Sequence, residues 1–360
     1  MNITKEQVLE ALSNVEEPDL KKDLVTLNMI RDVEVNGNEV SFTVVLTTPA
    51  CPLKALIEKA CINAILYYID KEAKVTVHMT ADVSGRQKAK EDILPGVKNI
   101  IAVASGKGGV GKSTVATNLA VTLAKTGAKV GLVDADIYGP SIPMMFGLER
   151  EQLGVKQING KTFMDPAYKY GVKVVSIGFL VDPAQAIPWR GPMASKALRQ
   201  LFTDADWGEL DYMIIDLPPG TGDIHLSLVA TVPVTGAVIV STPQQVALAD
   251  ARKGISMFQM SAINVPVLGL IENMAYFTPE ELPASKYYIF GKNGCMKLAE
   301  ELHIPFLGEI PLVQGICESG DRGAPVALDD NGIVAQAFMQ LAGNLVRQLA
   351  IKNALLTNTN

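Results

Sequence analysis

The stretch VASGKGGVGKST, residues 103–114, decides how the rest of the chain is read. Gly106, Gly111, Lys112 and Ser113 supply the pattern G-x-x-x-x-G-K-[ST], which in the right context is a phosphate-binding loop. That context is present. NIIAVAS (99–105) reads as a strand, and KSTVATNLAVTLAKTG (112–127) reads as a helix closed by Gly127, where glycine relieves the left-handed conformation that ends many helices. Between them Gly106, Lys107, Gly108, Gly109, Val110 and Gly111 form a turn whose backbone N–H groups can converge on phosphate oxygens. Lys112 is expected to reach the terminal phosphates of ATP. The Ser113 hydroxyl is expected to bind Mg²⁺, with Thr114 beside it in the first helical turn. The pattern needs one lysine, so Lys107, directly after the first glycine, is left over.

A nucleotide site of this class also needs an acidic residue at the end of a strand. DYMIIDLPPGTGD (211–223) places Asp216 after an apolar run and before a Pro/Gly turn. In a parallel sheet the carboxyl ends of the strands line the ligand crevice, so Asp216 is expected to face the nucleotide and its magnesium ion. VGLVDADIYGPS (130–141) offers a second acidic end. There Asp134 and Asp136 are expected to point to opposite sides, with Asp136, just past the strand, facing the γ-phosphate and orienting water.

The remaining rhythm is that of an α/β protein. KVGLVDA, VKVVSIG, YMIIDLP, GAVIVST and VPVLGLIEN alternate with helical patterns after residue 98, and continuous apolar strands separated by helices indicate a doubly wound, mostly parallel sheet covered on both faces. Before it, TKEQVLEALSNV and ACPLKALIEKACINAILYYID read as helices, and NEVSFTVVLTT and AKVTVHM as strands. The expected organisation is therefore a small α+β domain over 1–80, a linker over 81–97 and the P-loop NTPase domain over 98–360. The long apolar-striped helix in GIVAQAFMQLAGNLVRQLAIKNALL (332–356) is expected to pack on that last domain.

Composition narrows the function. The 360 residues carry a net charge of −6, which argues against a duplex-binding surface. No apolar run approaches the roughly 18 residues of a membrane span, and the N-terminus lacks the apolar segment of a signal peptide, so a cytoplasmic protein is expected. Cys51, Cys61, Cys295 and Cys317 form no C-x-x-C pair, and the three histidines are scattered, so spacing announces no metal centre.

GKGGVGKST, VDADIYGPSIP, RGPM with Arg190, DLPPGTGD and IENMAYF together resemble the Mrp/ApbC iron–sulfur cluster carrier ATPases, over about residues 94–345. These belong to the deviant Walker-A class that also holds MinD and ParA. VEEPDL and GNEVSFTVVLTTPACP in the first 80 residues are similar to the SufT-like accessory domain of iron–sulfur assembly. The resemblance implies an ATP hydrolase, slow and coupled to a homodimer, that delivers iron–sulfur clusters to apoproteins and works with scaffold proteins rather than nucleic acid or membrane. It implies that Lys107 crosses the dimer to the partner's phosphates, that Asn273 bonds the adenine edge, and that Pro311 lines the base pocket. The alternative on the same fold is a MinD/ParA-like positioning or regulatory ATPase without a cluster. A small-molecule kinase or ligase is a further one.

One departure matters. Relatives carry a C-P-x-C pair soon after IENMAYF, whereas this chain reads ENMAYFTPEELPASKYYIFGKNGC (272–295). Clusters are held mainly by cysteine thiolates, so two substitutes are expected to compete: Cys295, one per subunit across the dimer axis, and Cys51, whose thiolate a helix N-terminus would favour.

Overall fold

The computed structural model describes residues 3–83, 85, 92–180, 191–279, 281–282 and 285–357. They form two compact units, Met1–Ser84 together with Val346–Asn360, and Gly85–Leu345.

In the first unit, α1 (Lys5–Leu12) starts at a capping box in which the Thr4 hydroxyl accepts from the Gln7 N–H and the Gln7 side chain accepts from the Thr4 N–H. These two bonds satisfy donors that a helix start otherwise leaves open. Strands β1 (Ile30–Asn36) and β2 (Glu39–Leu46) pair antiparallel, and β3 (Lys74–Ala81) pairs parallel to β2 across the helix α2 (Lys54–Tyr68). Strict alternation along β2 sends Val40, Phe42, Val44 and Leu46 inward onto Ile57, Cys61 and Ile65 of α2. The last turns of the C-terminal helix α8 (Ile333–Thr357) belong to this unit as well, where Arg347 Nε donates to Asp19 Oδ1 at 2.5 Å. This differs from the sequence expectation. An apolar stripe records that a helix is covered but not by which segment.

The second unit is built on an eight-stranded sheet. Its members are β4 (Val97–Ala104), β5 (Val130–Asp134), β6 (Ala167–Lys169), β7 (Val172–Ser176), β8 (Leu210–Asp216), β9 (Gly236–Ser241), β10 (Val267–Glu272) and β11 (Phe306–Glu309), in the order β6-β7-β5-β8-β4-β9-β10-β11. Every neighbouring pair is parallel except β6 with β7. Ile100, Ile101, Ile214, Ile215 and Ile239 on the central strands are fully buried. Each such side chain contributes about 1.5–3 kcal/mol. This is the doubly wound α/β fold that the apolar runs predict. β6, β11 and the exposed hairpin of Gly154–Ile158 with Lys161–Asp165 were absent from the sequence reading, because short exposed or edge strands carry no continuous apolar signal.

The register aligns the site. Asp216 at the end of β8 lies opposite Asp134 at the end of β5 and opposite Val103 in β4. The phosphate loop thus leaves the sheet beside both acidic ends.

Because Val346–Asn360 belongs to the first unit, ending the chain at Leu345 is expected to speed amide exchange in β2 and β3 measurably. Unchanged protection in a hydrogen-exchange experiment would contradict that assignment.

Candidate functional site

The loop closes as its glycines dictate. Gly109 and Gly111 have φ of +79° and +82°, a region costly for side-chain-bearing residues. Gly106 has a different reason: an added Cβ would lie 2.1 Å from the Asp250 carbonyl. Ser105 Oγ donates to the Lys107 carbonyl at 2.9 Å, and Gly111 is the N-cap of α3 (Lys112–Lys125). That arrangement directs the first N–H groups of the helix and its partial positive charge at the space above the loop.

Lys112, the first residue of α3, is only 6 % exposed. Its Nζ lies 2.6 Å from Asp216 Oδ1, 3.5 Å from Asp136 Oδ2 and 3.2 Å from Ser113 Oγ. The structure therefore brings Lys112, Ser113, Asp136 and Asp216 into one cluster. Asp134 stands just behind them, accepting from the N–H groups of Asp136 and Ile142 and from Ser176 Oγ. Both Asp134 and Asp136 thus lie on the Asp216 side of the sheet. The expectation that they face apart is corrected: β5 ends at Asp134, whose carboxylate accepts from the Asp136 N–H, and Asp136 reaches Lys112. Ser176, at the carboxyl end of β7, was missed; its position at a parallel strand end was the available signal.

The charges do not balance within the cluster. One ammonium meets three carboxylates, two of them fully buried. Burial raises Asp134 to about 7, with Asp216 next to it adding to the rise. Burial also pushes Asp216 up, against the pull of Lys112. Such a site favours an added cation, since an uncompensated buried charge is costly. Asp216 Oδ2 is buried with no partner among the described residues, so an acceptor is left over beside the Ser113 hydroxyl. The donor set is all oxygen, which suits Mg²⁺.

Lys107 is exposed, and no described residue pairs with its ammonium. Asn273 lies just past β10 and is 6 % exposed. Its Nδ2 donates to the Val110 carbonyl at 2.8 Å, so it braces the phosphate loop, a contact that the adenine reading did not foresee. Pro311 is buried on the neighbouring segment, where Ile310 O accepts from Ala275 N and Leu312 N donates to Tyr276 O. Arg190 lies outside the described residues.

Neither substitute cysteine is placed as a ready ligand. Cys295 is fully buried at the start of α7 (Gly294–Leu302), its N–H donates to Glu272 Oε2 at 2.6 Å, and burial drives its thiol far up. A side chain in the core does not reach a dimer axis. Cys51 is half-buried and precedes α2, whose N-cap is Leu53. Burial raises its thiol and outweighs the Leu53 N–H at the helix start, which favours the thiolate; Glu17 and Asp19 add to the rise and Arg347 opposes it. The expectation of a thiolate favoured by a helix N-terminus is therefore corrected. Among the described residues no group of three or more His, Cys, Asp or Glu side chains is placed to hold a metal ion, and no helix is long and apolar enough to cross a membrane.

Comparison with known proteins identifies the family of the chain. Residues 96–346 match the family described as NUBPL iron-transfer P-loop NTPase, and residues 5–79 match an iron-sulfur cluster assembly protein family. An iron-sulfur cluster carrier protein from Synechocystis is 50% identical over 351 residues, covering 97% of this chain and 99% of its own. One from Deinococcus radiodurans is 46% identical over 346 residues, covering 96% and 95%. Among solved structures, a nucleotide-binding protein from Archaeoglobus fulgidus in complex with ADP is 41% identical, with a TM-score of 0.57, covering 66% of this chain and 92% of its own.

Since the Asn273 amide bonds the Val110 carbonyl, Asn273→Ala is expected to weaken ATP and GTP binding alike, by about 1–3 kcal/mol for the unpaired Val110 carbonyl. A loss confined to adenine nucleotides in calorimetric titrations would contradict this role.

Proposed function

The chain belongs to the iron-transfer P-loop NTPase family, and from that membership we propose that it is an ATP-dependent iron–sulfur cluster carrier delivering clusters to apoproteins. The observation that carries the reading is the meeting of Lys112 with Asp216 and Asp136 beneath the phosphate loop. It occurs on a chain that matches named cluster carriers along its whole length.

ATP lays its phosphates over the N–H groups of Gly108–Ser113, and Lys112 exchanges its carboxylate partners for phosphate oxygens. Ser113 and Asp216 would hold Mg²⁺, which would neutralise charge on the phosphates. Asp136, at the edge of the cluster, orients the attacking water. Lys107 has no partner among the described residues and extends to the phosphates held by a second copy. Cation and transferring phosphoryl group meet only when two subunits close, so hydrolysis is slow and reports dimer geometry. Pro311 lines the base end of the site, and Asn273, bonded to Val110, holds the phosphate loop beside it. The protein works in the cytoplasm as a homodimer, with apoprotein clients and scaffold proteins. Its first unit serves as an accessory domain in cluster assembly.

The cluster is cargo rather than a resident group. With no C-P-x-C pair, a buried Cys295 and a Cys51 thiol raised by burial, few thiolates are available, and the cargo is held labilely, its shell completed by client or small-molecule thiols. After anaerobic reconstitution of the full chain, Mg-ATP is expected to accelerate cluster transfer to an apo-ferredoxin, while Lys112→Ala abolishes that acceleration. Equal transfer rates with and without ATP would remove the carrier reading and favour a regulatory ATPase.

The lysine in trans has its own test. Lys107→Ala is expected to bind ATP yet lose hydrolysis. Mixed with Lys112→Ala, it forms a dimer with one intact loop faced by an intact Lys107. Absence of restored turnover in that mixture would show that Lys107 does not act across the dimer.

A further inference from the structure

The turn after Asp216 is tied down at several points. The Leu217 N–H donates to the Val103 carbonyl at 3.1 Å and the Gly220 N–H to the Ser105 carbonyl at 2.9 Å, both on the β4 side of the phosphate loop. Pro219 faces the loop: a Cβ built on Gly108 would lie 3.9 Å from its ring. The remaining tie comes from the following helix, α5 (Asp223–Thr231), where His225 Nε2 lies 2.7 Å from the Pro218 carbonyl oxygen.

That last bond fixes the chemistry of the imidazole. A carbonyl oxygen only accepts, so Nε2 carries the proton and donates. Nδ1 is then a bare acceptor, and it is buried without a partner among the described residues. The side chain is 2 % exposed, and burial holds the ring below its ordinary pKa, against the pull of the Pro218 and Gly222 carbonyls. A buried histidine with one nitrogen unpaired is costly as core filling. The bond that it does make is to the residue two positions beyond Asp216.

We propose that His225 is a positioning residue for nucleotide hydrolysis: its Nε2–H holds the Pro218–Pro219 turn against Gly108, and through that turn fixes Asp216 relative to the phosphate loop. The inference rests on the ATPase reading above. Asp216 Oδ2 is the oxygen left for magnesium or its water, and a turn free to drift from Gly108 moves that oxygen and the backbone next to Lys107 together. Loss of the tie acts on turnover more than on affinity, because the loop N–H groups and Lys112 still seat the phosphates.

Three variants separate the bond from packing. His225→Gln keeps an N–H donor at the reach of Nε2, His225→Phe keeps ring volume without a donor, and His225→Ala removes both. With ATP and Mg²⁺ on the full chain, His225→Phe and His225→Ala are expected to lose on the order of tenfold or more in kcat, the scale of one lost hydrogen bond in the transition state. KM is expected to change less than threefold, and His225→Gln to recover most of the rate. If His225→Ala does not fold, the Gln and Phe pair carries the comparison. Wild-type kcat in His225→Phe, or failure of a folded His225→Gln to recover turnover, overturns the inference alone. A wild-type chain that neither binds nor hydrolyses ATP overturns the nucleotide reading, and this inference with it.

Discussion

Much of the site depends on one ammonium group. Lys112 Nζ sits between the ends of two strands and neutralises part of a carboxylate cluster that would otherwise be buried uncompensated. Removing one partner of such a pair typically costs about 3–5 kcal/mol. The arrangement is therefore a place to hold the lysine until something better arrives. A polyphosphate over the loop would offer it more negative charge, and Asp216 would then be free to hold a magnesium ion. Nucleotide binding on this account is an exchange of counter-ions inside a prebuilt frame rather than the assembly of a site.

The frame is set by backbone constraints. Asp134, Asp216 and Val103 are held in register by parallel ladders, which sets the backbones of the acidic ends beside the strand that feeds the phosphate loop. Gly106 and Gly111 bring the loop close to its supports; a side chain at the first would collide with the Asp250 backbone, and at the second with the Asn273 amide. Ser176 and two backbone N–H groups fix Asp134, which leaves the more exposed Asp136 free to meet ligand.

Much of this was legible in the sequence, because the deciding features are local. A glycine pattern between an apolar strand and a helix has one common structural meaning, and acidic residues ending apolar runs follow from the geometry of parallel sheets. What was illegible depends on contacts distant in sequence. Nothing near Asn273 says that its amide bonds Val110, 163 positions away, and nothing near Arg347 says that it pairs with Asp19, 328 positions away. The burial of Cys51 and Cys295 was illegible for the same reason. Proximity to a helix start is visible in sequence, whereas burial, which raises both thiols, is set by the rest of the fold.

The exchange of counter-ions at Lys112 is tested most directly by titrating ATP into Asp216→Asn and wild-type protein, with and without Mg²⁺, in a calorimeter. Removing the carboxylate charge frees Lys112 before any ligand arrives. The account therefore predicts that Asp216→Asn binds Mg²⁺-free ATP at least as tightly as the wild type, while losing the strengthening that Mg²⁺ gives. If instead Asp216→Asn loses metal-free ATP binding to the extent that Lys112→Ala does, the lysine is not held in reserve by Asp216 and the account is wrong.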